Sequence, residues 1–195
     1  SPFPSENKLT LIGDEVSTRY LRRTEEEYLK ILDYIRIFTA EKTGNYLVFF
    51  SSYKMLDDIA ELAADTLPGL FLQSSNMNEI ERERFLEKFE TNPQSTKIGF
   101  CVLGGIFGEG IDLKADRLIG AVIVGPGLPM KDSERELLRR YYEKRGSKGF
   151  EYAYLYQGMN KVLQAGGRVI RTMEDKGTVL LLDDRFLQGQ YQKLF

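Results

Sequence analysis

The sequence predicts an α/β fold in which helices cover both faces of a mostly parallel sheet. Short apolar runs of strand length alternate along the chain with longer segments of helical periodicity. The runs at residues 46–51 and 118–124 are apolar almost throughout, which is typical of strands buried on both faces. The length of 195 residues is enough for one hydrophobic core, so we predict a single domain over residues 1–195.

The expected elements follow from this alternation. Strands are placed at residues 9–12, 46–51, 97–103, 118–124 and 178–182, with a short apolar segment at 70–72, and helices at 24–41, 53–65, 77–90, 133–145 and 150–173. Thr24 is the expected N-cap of the first helix, and Glu27 completes a capping-box pattern with it. In the third helix, Ile80, Phe85 and Phe89 are expected to face the core.

Ligands of a parallel sheet bind at the loops that leave the carboxyl ends of its strands. Four segments of this sequence follow predicted strands and carry polar or glycine-rich residues. We therefore expect binding residues at positions 51–54, 104–112, 125–131 and 183–185.

Composition excludes several kinds of chemistry. The chain has no histidine and one cysteine, which excludes histidine triads, histidine-ligated metals, internal disulfides and multi-cysteine metal sites. We expect Cys101 to be a buried core thiol, and a single thiol fits a cytoplasmic location. The net charge of −2 gives no overall signal for a polyanion, although a groove needs only local positive charge. No apolar run approaches the roughly 20 residues that cross a bilayer, so no membrane partner is expected.

The last predicted helix contains the segment QAGGRVIR, residues 164–171. Gln164, Arg168 and Arg171 are spaced i, i+4 and i+7, which would place them on one helix face. Such a face suits the oxygens of a phosphate, but the spacing fits a solvated arginine face equally well. Each of the two adjacent glycines costs roughly 1 kcal/mol in a helix, and close approach of a backbone or ligand would explain them.

Two other segments stand directly after predicted strands. Residues 104–112 contain four glycines whose N–H groups can meet an anion, and Asp112 can accept a hydrogen bond from a ribose or an arginine. A glycine-rich turn capped by Asp112 is the alternative. Ser51, Ser52 and Tyr53 open a helix, where hydroxyls and free N–H groups suit a phosphate. Ordinary N-capping by Ser52 is the alternative there.

No G-x-x-x-x-G-K-[ST] segment occurs in the sequence. The chain thus lacks the loop and lysine that hold the β- and γ-phosphates of a nucleotide. Arginines without that loop indicate arginine fingers that act across an interface. The chain starts without an initiator Met, and we expect it to be a fragment of a larger protein.

These segments, in this order, resemble the second motor domain of superfamily 2 helicases. VFFSSY at residues 48–53 is similar to motif IV, GEGID at 108–112 to motif V of the XPD/DinG branch, and QAGGRVIR at 164–171 to its motif VI. LDDRF at 182–186 and GLP at 127–129 also resemble that branch. The resemblance runs from about residue 17 to residue 195, and it implies a RecA-like fold, related to P-loop NTPases but without the P-loop.

The resemblance further implies a 5′-to-3′ ATP-dependent DNA helicase, of a kind associated with DNA repair, whose first motor domain lies outside this chain. That first domain would hold most of the ATP and Mg²⁺ and any iron–sulfur cluster, so this fragment alone should be inactive. Arg168 and Arg171 would be catalytic and contact the γ-phosphate. The nucleotide cleft would be lined by Gln164, Gly108, Glu109, Gly110 and Asp112. Single-stranded DNA would be contacted by Ser51, Ser52, Tyr53, Gly104, Gly105 and Arg19.

The charged helix at residues 133–145 is interpreted mainly as a solvated face. Its basic residues, interleaved with glutamates, are Arg135, Arg139, Arg140, Lys144 and Arg145. Two other classes of function stay open. One is a stand-alone nucleic-acid-binding RecA-like module without catalysis. The other is a small-molecule α/β enzyme that binds a free nucleotide at residues 104–112.

Overall fold

The computed structural model describes residues 7–107, 113, 117–169 and 176–195. In this part of the chain six strands form one sheet, and their bounds are β1 Lys8–Gly13, β2 Asn45–Phe50, β3 Leu70–Leu72, β4 Lys97–Val102, β5 Gly120–Val124 and β6 Gly177–Leu182. Every neighbouring pair is parallel, and the strand order is β1-β6-β5-β2-β4-β3. The predicted α/β class is therefore confirmed.

Helices cover both faces of this sheet. Their bounds are α1 Glu25–Ala40, α2 Tyr53–Ala63, α3 Glu79–Glu87, α4 Ser133–Lys144, α5 Tyr156–Gly166 and α6 Gly189–Gln192. Side chains of β2 alternate between two buried clusters, because successive strand residues point to opposite faces. Leu47 and Phe49 join the cluster under α3 and α5, whereas Val48 and Phe50 join the one under α1 and α2. Cys101 is fully buried in the first cluster, as expected, and burial raises the pKa of its thiol.

The third helix is shorter than predicted, and one of its expected core residues is wrong. Asn78 caps α3 in a reciprocal capping box with Glu81, so the helix starts at Glu79. Phe85 and Phe89 are spaced i, i+4 and are buried, but Ile80 is 61% exposed. At about 100° per residue, five positions rotate Ile80 by roughly 140° from Phe85, which places it on the solvent side.

The last predicted helix is also different. Residues 151–155 form a π-helical segment, α5 follows, and α5 ends at Gly166 with Gly167 as its C-cap. The expectation that Gln164 and Arg168 share one helix face is therefore wrong. Two successive glycines weaken the helix, and the Arg168 N–H bonds to the Ala165 carbonyl at 3.1 Å in a tightened final turn.

Close approach of a distant backbone occurs at a different glycine from the two expected. A Cβ at Gly167 would lie 3.1 Å from the carbonyl oxygen of Leu163 in its own helix. A Cβ at Gly166 would lie 3.6 Å from Val179 Cγ1, an ordinary contact. A Cβ at Gly158 would lie only 2.5 Å from the carbonyl oxygen of Pro126. Gly158 therefore permits α5 to pack against the loop that follows β5.

Thr24 caps α1 as predicted, but the expected capping box is only half formed. The Thr24 hydroxyl accepts from the Glu27 N–H at 3.3 Å. The buried Glu27 carboxylate instead accepts from the Ser17 N–H at 2.5 Å and pairs with Arg22 at 3.1 Å. Across the residues that the structure describes, no helix has both the length and the apolar character to cross a bilayer.

Candidate functional site

A groove of about 750 Å³ lies at the carboxyl edge of the sheet, where parallel-sheet ligands bind. Loops that follow β1, β2, β5 and β6 meet there, together with residues of α1 and α2 and with Lys161 of α5. The polar and small residues that line it include Thr18, Arg19, Arg23, Ser51, Ser52, Lys54, Gly127, Lys161 and Arg185. Three of the four segments expected to bind ligands thus contribute to one groove.

Asp183 organises the floor of this groove from a fully buried position just after β6. Its carboxylate accepts hydrogen bonds from the Thr18 N–H and hydroxyl, each at 2.8 Å, and from Arg185 Nε at 2.6 Å. Burial alone would raise the pKa of Asp183, but the hydrogen bonds and charge of Arg185, with the backbone N–H groups, outweigh it and lower the pKa. Asp183 therefore stays ionised and holds Arg185 against the Thr18 loop.

Ser51 and Ser52 lie in the groove, whereas Tyr53 does not line it and is hydrogen-bonded to Gln73 instead. The Ser52 hydroxyl caps α2 by accepting from the Met55 N–H at 3.3 Å, which is the N-capping alternative raised by the sequence. Both serines remain partly exposed to the groove. The Tyr53 hydroxyl accepts from the Gln73 amide at 2.8 Å, away from the residues that line the groove.

Gly104 and Gly105 form a tight turn beside the groove. Gly104 has φ +70°, a conformation that side chains other than glycine rarely adopt, and a Cβ there would lie 3.0 Å from Lys161 Cδ. A Cβ at Gly105 would lie 3.2 Å from the amide nitrogen of Gln73. The turn is thus packed against both side chains. Gly108, Glu109, Gly110 and Asp112 lie outside the described residues.

The rim of the groove carries more positive than negative charge. Arg19 pairs with Asp184 at 3.3 Å, Lys54 pairs with Asp58 at 3.1 Å, and Arg23 Nε donates to the Thr18 carbonyl at 2.9 Å. Lys161 forms no ion pair with any residue that the structure describes, and its amine is available to a ligand. A local basic groove therefore exists in a chain of net charge −2, because acids elsewhere offset it.

Several groove residues were missed by the sequence interpretation. Thr18, Arg23 and Lys161 are not singled out by any pattern described above, although all three line the groove. Lys161 lies one helical turn from Gly158, whose contact with Pro126 brings α5 to the groove. Gly158, a small residue within a helical pattern, is the sequence signal that could have indicated this crossing.

Gln164 and Arg168 lie away from the groove, toward the other edge of the sheet. Helix α5 starts near the carboxyl edge, where Gly158 meets Pro126. Its end leads to Val169, which packs on Gly177, the first residue of β6. The eight residues from Gly158 to Gly166 span roughly 12 Å at about 1.5 Å per residue. Gln164 is exposed and Arg168 is partly buried, while Arg171 lies outside the described residues.

Comparison with known proteins defines the class to which this fold and groove belong. Residues 35–195 match the family described as Helicase C-terminal domain. The chain belongs to this family, and its sheet is the RecA-like sheet of a helicase motor domain.

The relatives narrow this to the DinG/XPD type, which confirms the resemblance carried by the motifs. The chain is 30% identical to ATP-dependent DNA helicase DinG of Photobacterium profundum, over 99% of this chain and 28% of that protein. It is 29% identical to ATP-dependent DNA helicase XPD of Sulfolobus acidocaldarius, over 93% of this chain and 32% of that protein. A solved structure named XPD_APO superposes with a TM-score of 0.78 at 25% identity, covering 96% of this chain and 38% of that one. The chain therefore spans about a third or less of these proteins.

Proposed function

We propose that this chain is the second motor domain of a 5′-to-3′ ATP-dependent DNA helicase. The observation that carries the proposal is the match to the Helicase C-terminal domain family in a chain without a phosphate-binding loop. A motor domain without that loop requires another domain to hold the nucleotide. We assign the phosphate loop, the Mg²⁺ ion and most ATP contacts to a first motor domain of the same polypeptide.

In this proposal, Arg168 and Arg171 act as arginine fingers toward the γ-phosphate. Their guanidinium groups would stabilise the charge that develops on the transferred phosphoryl group. Gln164 and the segment 108–112 would complete the nucleotide side of the interface. The relatives named above as ATP-dependent DNA helicases support this assignment. The position of Gln164 and Arg168 apart from the groove is consistent with separate sites for nucleotide and nucleic acid.

The groove is proposed as part of the track for single-stranded DNA. Its serine hydroxyls and the amine of Lys161 suit phosphate oxygens, which are the same for every base. Contacts of this kind permit translocation without sequence preference. Ser51, Ser52, Arg19 and the Gly104–Gly105 turn are the expected contacts. Tyr53 would act indirectly, by holding Gln73 beside that turn.

The arginine assignment is tested in the helicase that contains this chain. Arg168→Ala and Arg171→Ala are each expected to lower kcat for DNA-stimulated ATP hydrolysis about 10³-fold or more, because finger arginines contribute about 10³–10⁵ in rate. Binding of single-stranded DNA should change less than about twofold, since both arginines are assigned to the nucleotide and Arg168 is not among the residues that line the groove. Arg84→Ala, an exposed arginine on α3, is the matched control. Near-normal turnover in either finger variant would remove that arginine from its role.

A further inference from the structure

Helix α4 lies on the outside of the molecule and buries none of its residues. Among the described elements it packs mainly on the π-helical segment at residues 151–155, through the Tyr142–Tyr152 ring stack at 4.5 Å. Leu137, on its other side, is 70% exposed and Tyr141 is 46% exposed. The outer face of α4 is therefore unpartnered in this structure.

Most of the acids at α4 are paired with arginines, and the exposed Glu134 of its first turn is the exception among the described residues. On the inner side, Arg139 pairs with Glu136 at 3.1 Å and with Glu143 at 2.7 Å. Glu136 also accepts from the Tyr154 hydroxyl at 2.8 Å, and the hydrogen bonds from Arg139 and then Tyr154 lower its pKa. Asp132 forms an ion pair with Arg135. Most of the carboxylates at α4 are thus paired with Arg135 or Arg139.

The remaining three basic residues of α4 and its C-cap, together with Tyr141, form what we call the α4 stripe: Arg140, Tyr141, Lys144 and Arg145. Arg140 and Lys144 are spaced i, i+4, are exposed, and form no ion pair with the residues that the structure describes. The Arg145 guanidinium carbon lies 4.2 Å from the centre of the Tyr141 ring, a cation–π contact that places this cation over an aromatic face. The stripe thus offers two free cations beside an aromatic platform.

The α4 stripe is continuous with the groove at the carboxyl edge. The loop after β5 lines that groove through Met130 and then enters a second cavity of about 480 Å³. This second cavity is lined by Lys131, Asp132, Ser133, Glu136, Leu137 and Arg140, and both of its acids are paired, Asp132 with Arg135 and Glu136 with Arg139. A single strand of nucleic acid that leaves the groove over this loop would therefore reach Arg140 without crossing a continuous row of unpaired carboxylates.

We propose that the α4 stripe is a second contact for single-stranded nucleic acid, which binds the sugar–phosphate backbone beyond the groove. This inference rests on the proposed function of the groove and extends its track. Arg140 and Lys144 are separated by four residues, or roughly 6 Å along the axis of α4 at about 1.5 Å per residue, so both can contact the backbone of one short stretch of a single strand. Cations beside aromatic rings are the side chains that bind single strands without sequence preference. An acidic peptide would also complement the charges of the stripe, but it would not explain why the stripe is continuous with the groove.

The test measures binding of the purified chain to labelled oligothymidylates of about 6 and about 20 nucleotides, the shorter able to fill the groove alone. The double variant Arg140→Ala/Lys144→Ala should bind the longer strand about 5- to 10-fold more weakly and lower the slope of log K against log salt by about 1.4. The shorter strand should bind the variant as well as the wild type. The control Arg84→Ala/Lys193→Ala has the same net charge and should match the wild type with both strands.

Three outcomes of these binding measurements would contradict part of the proposal. Equal loss for the stripe and control variants, with wild-type binding intact, overturns the stripe but leaves the groove. No binding of either strand by the wild-type chain contradicts the groove itself, and with it the proposed track. A polyglutamate peptide that binds as tightly as the longer strand, with the same dependence on Arg140 and Lys144, would show a site for acidic peptides instead. Unchanged thermal unfolding of the variants confirms that the effects are not losses of fold.

Discussion

Asp183 shows how one buried carboxylate can position a functional surface. It has no exposed surface, yet it stays ionised because Arg185 and two N–H groups donate to it. Through these bonds it joins the end of β6 to the loop after β1, which are distant in sequence. The Thr18 and Arg185 side chains at the groove are therefore held in place by the carboxylate of Asp183, which is fully buried.

Replacing Asp183 with Asn should destabilise the fold by about 3–5 kcal/mol, because the Arg185 charge would be left without its buried partner. Arg185 is only 15% exposed and has little access to water in compensation. Urea unfolding at neutral pH measures the change. The control is Asp184→Asn, which breaks only the exposed pair with Arg19 and should cost less than about 1 kcal/mol. Equal losses for the two variants would contradict the role of Asp183.

The stability that Asp183 contributes should also depend on pH. Its pKa in the folded chain is lowered, so the contribution is fully present above the ordinary aspartate value of about 3.9. As the pH falls through the lowered pKa, the native carboxylate becomes protonated and the contribution is lost. The difference in unfolding free energy between wild type and Asp183→Asn should therefore shrink below about pH 4. A difference that stays constant down to low pH would show that the charge is not responsible.

At the scale of elements, helix α5 determines the relation between the two proposed sites. Its first half packs on the loop after β5 and presents Lys161 to the groove, while its end leads toward Arg168 at the other edge of the sheet. Both sites therefore depend on where α5 lies over β5 and β6. That position is permitted by Gly158, which leaves room for the Pro126 carbonyl.

Gly158→Ala should destabilise the chain by about 1–2 kcal/mol, although alanine is the better helix former by about 1 kcal/mol. The added Cβ would meet the Pro126 carbonyl oxygen at 2.5 Å, and backbone on both sides cannot yield cheaply. Thermal unfolding measures the loss, and weaker binding of single-stranded DNA should accompany it. Gly189→Ala is the control, because a Cβ there meets nothing within 4 Å. If Gly158→Ala proved as stable as the control, the proposed crossing would be wrong.

At the scale of the whole molecule, the parallel sheet gathers distant segments at one edge. Strands β5 and β6 are neighbours, but their carboxyl-end loops are separated by more than 50 residues in sequence. Parallel pairing aligns these ends, so loops after β1, β2, β5 and β6 converge on a single groove. The sequence contains no phosphate-binding loop, and the proposed function therefore assigns only one side of a nucleotide site to this molecule.

The purified chain should therefore hydrolyse ATP no faster than background, with or without single-stranded DNA. Without a phosphate loop, nothing in the chain orients the β- and γ-phosphates for attack. A phosphate-release assay measures the rate, and Arg168→Ala serves as control because contaminating activity would be insensitive to it. DNA-stimulated hydrolysis that Arg168→Ala abolishes would mean that the chain contains a complete nucleotide site.

The sequence alone determined the α/β class, most element positions and the DinG/XPD-type helicase family, because strand patterning and motif wording are local properties. It also placed three of the four loops that meet at the groove. It misjudged Ile80, because five positions of a helix rotate that residue by roughly 140° from Phe85. It also misjudged the shared face of Gln164 and Arg168, because α5 ends at the glycine pair before Arg168.

Only the tertiary structure decided which charged residues are free to bind. Arg139 and Arg140 are adjacent, and nothing in the sequence distinguishes their surroundings. In the structure Arg139 forms ion pairs with two glutamates, whereas Arg140 is exposed. Asp183 and Thr18 likewise meet across 165 positions through the parallel pairing of β1 with β6. Pairing between charges is a matter of distance in space, and local sequence patterns do not specify distances between residues far apart in the chain.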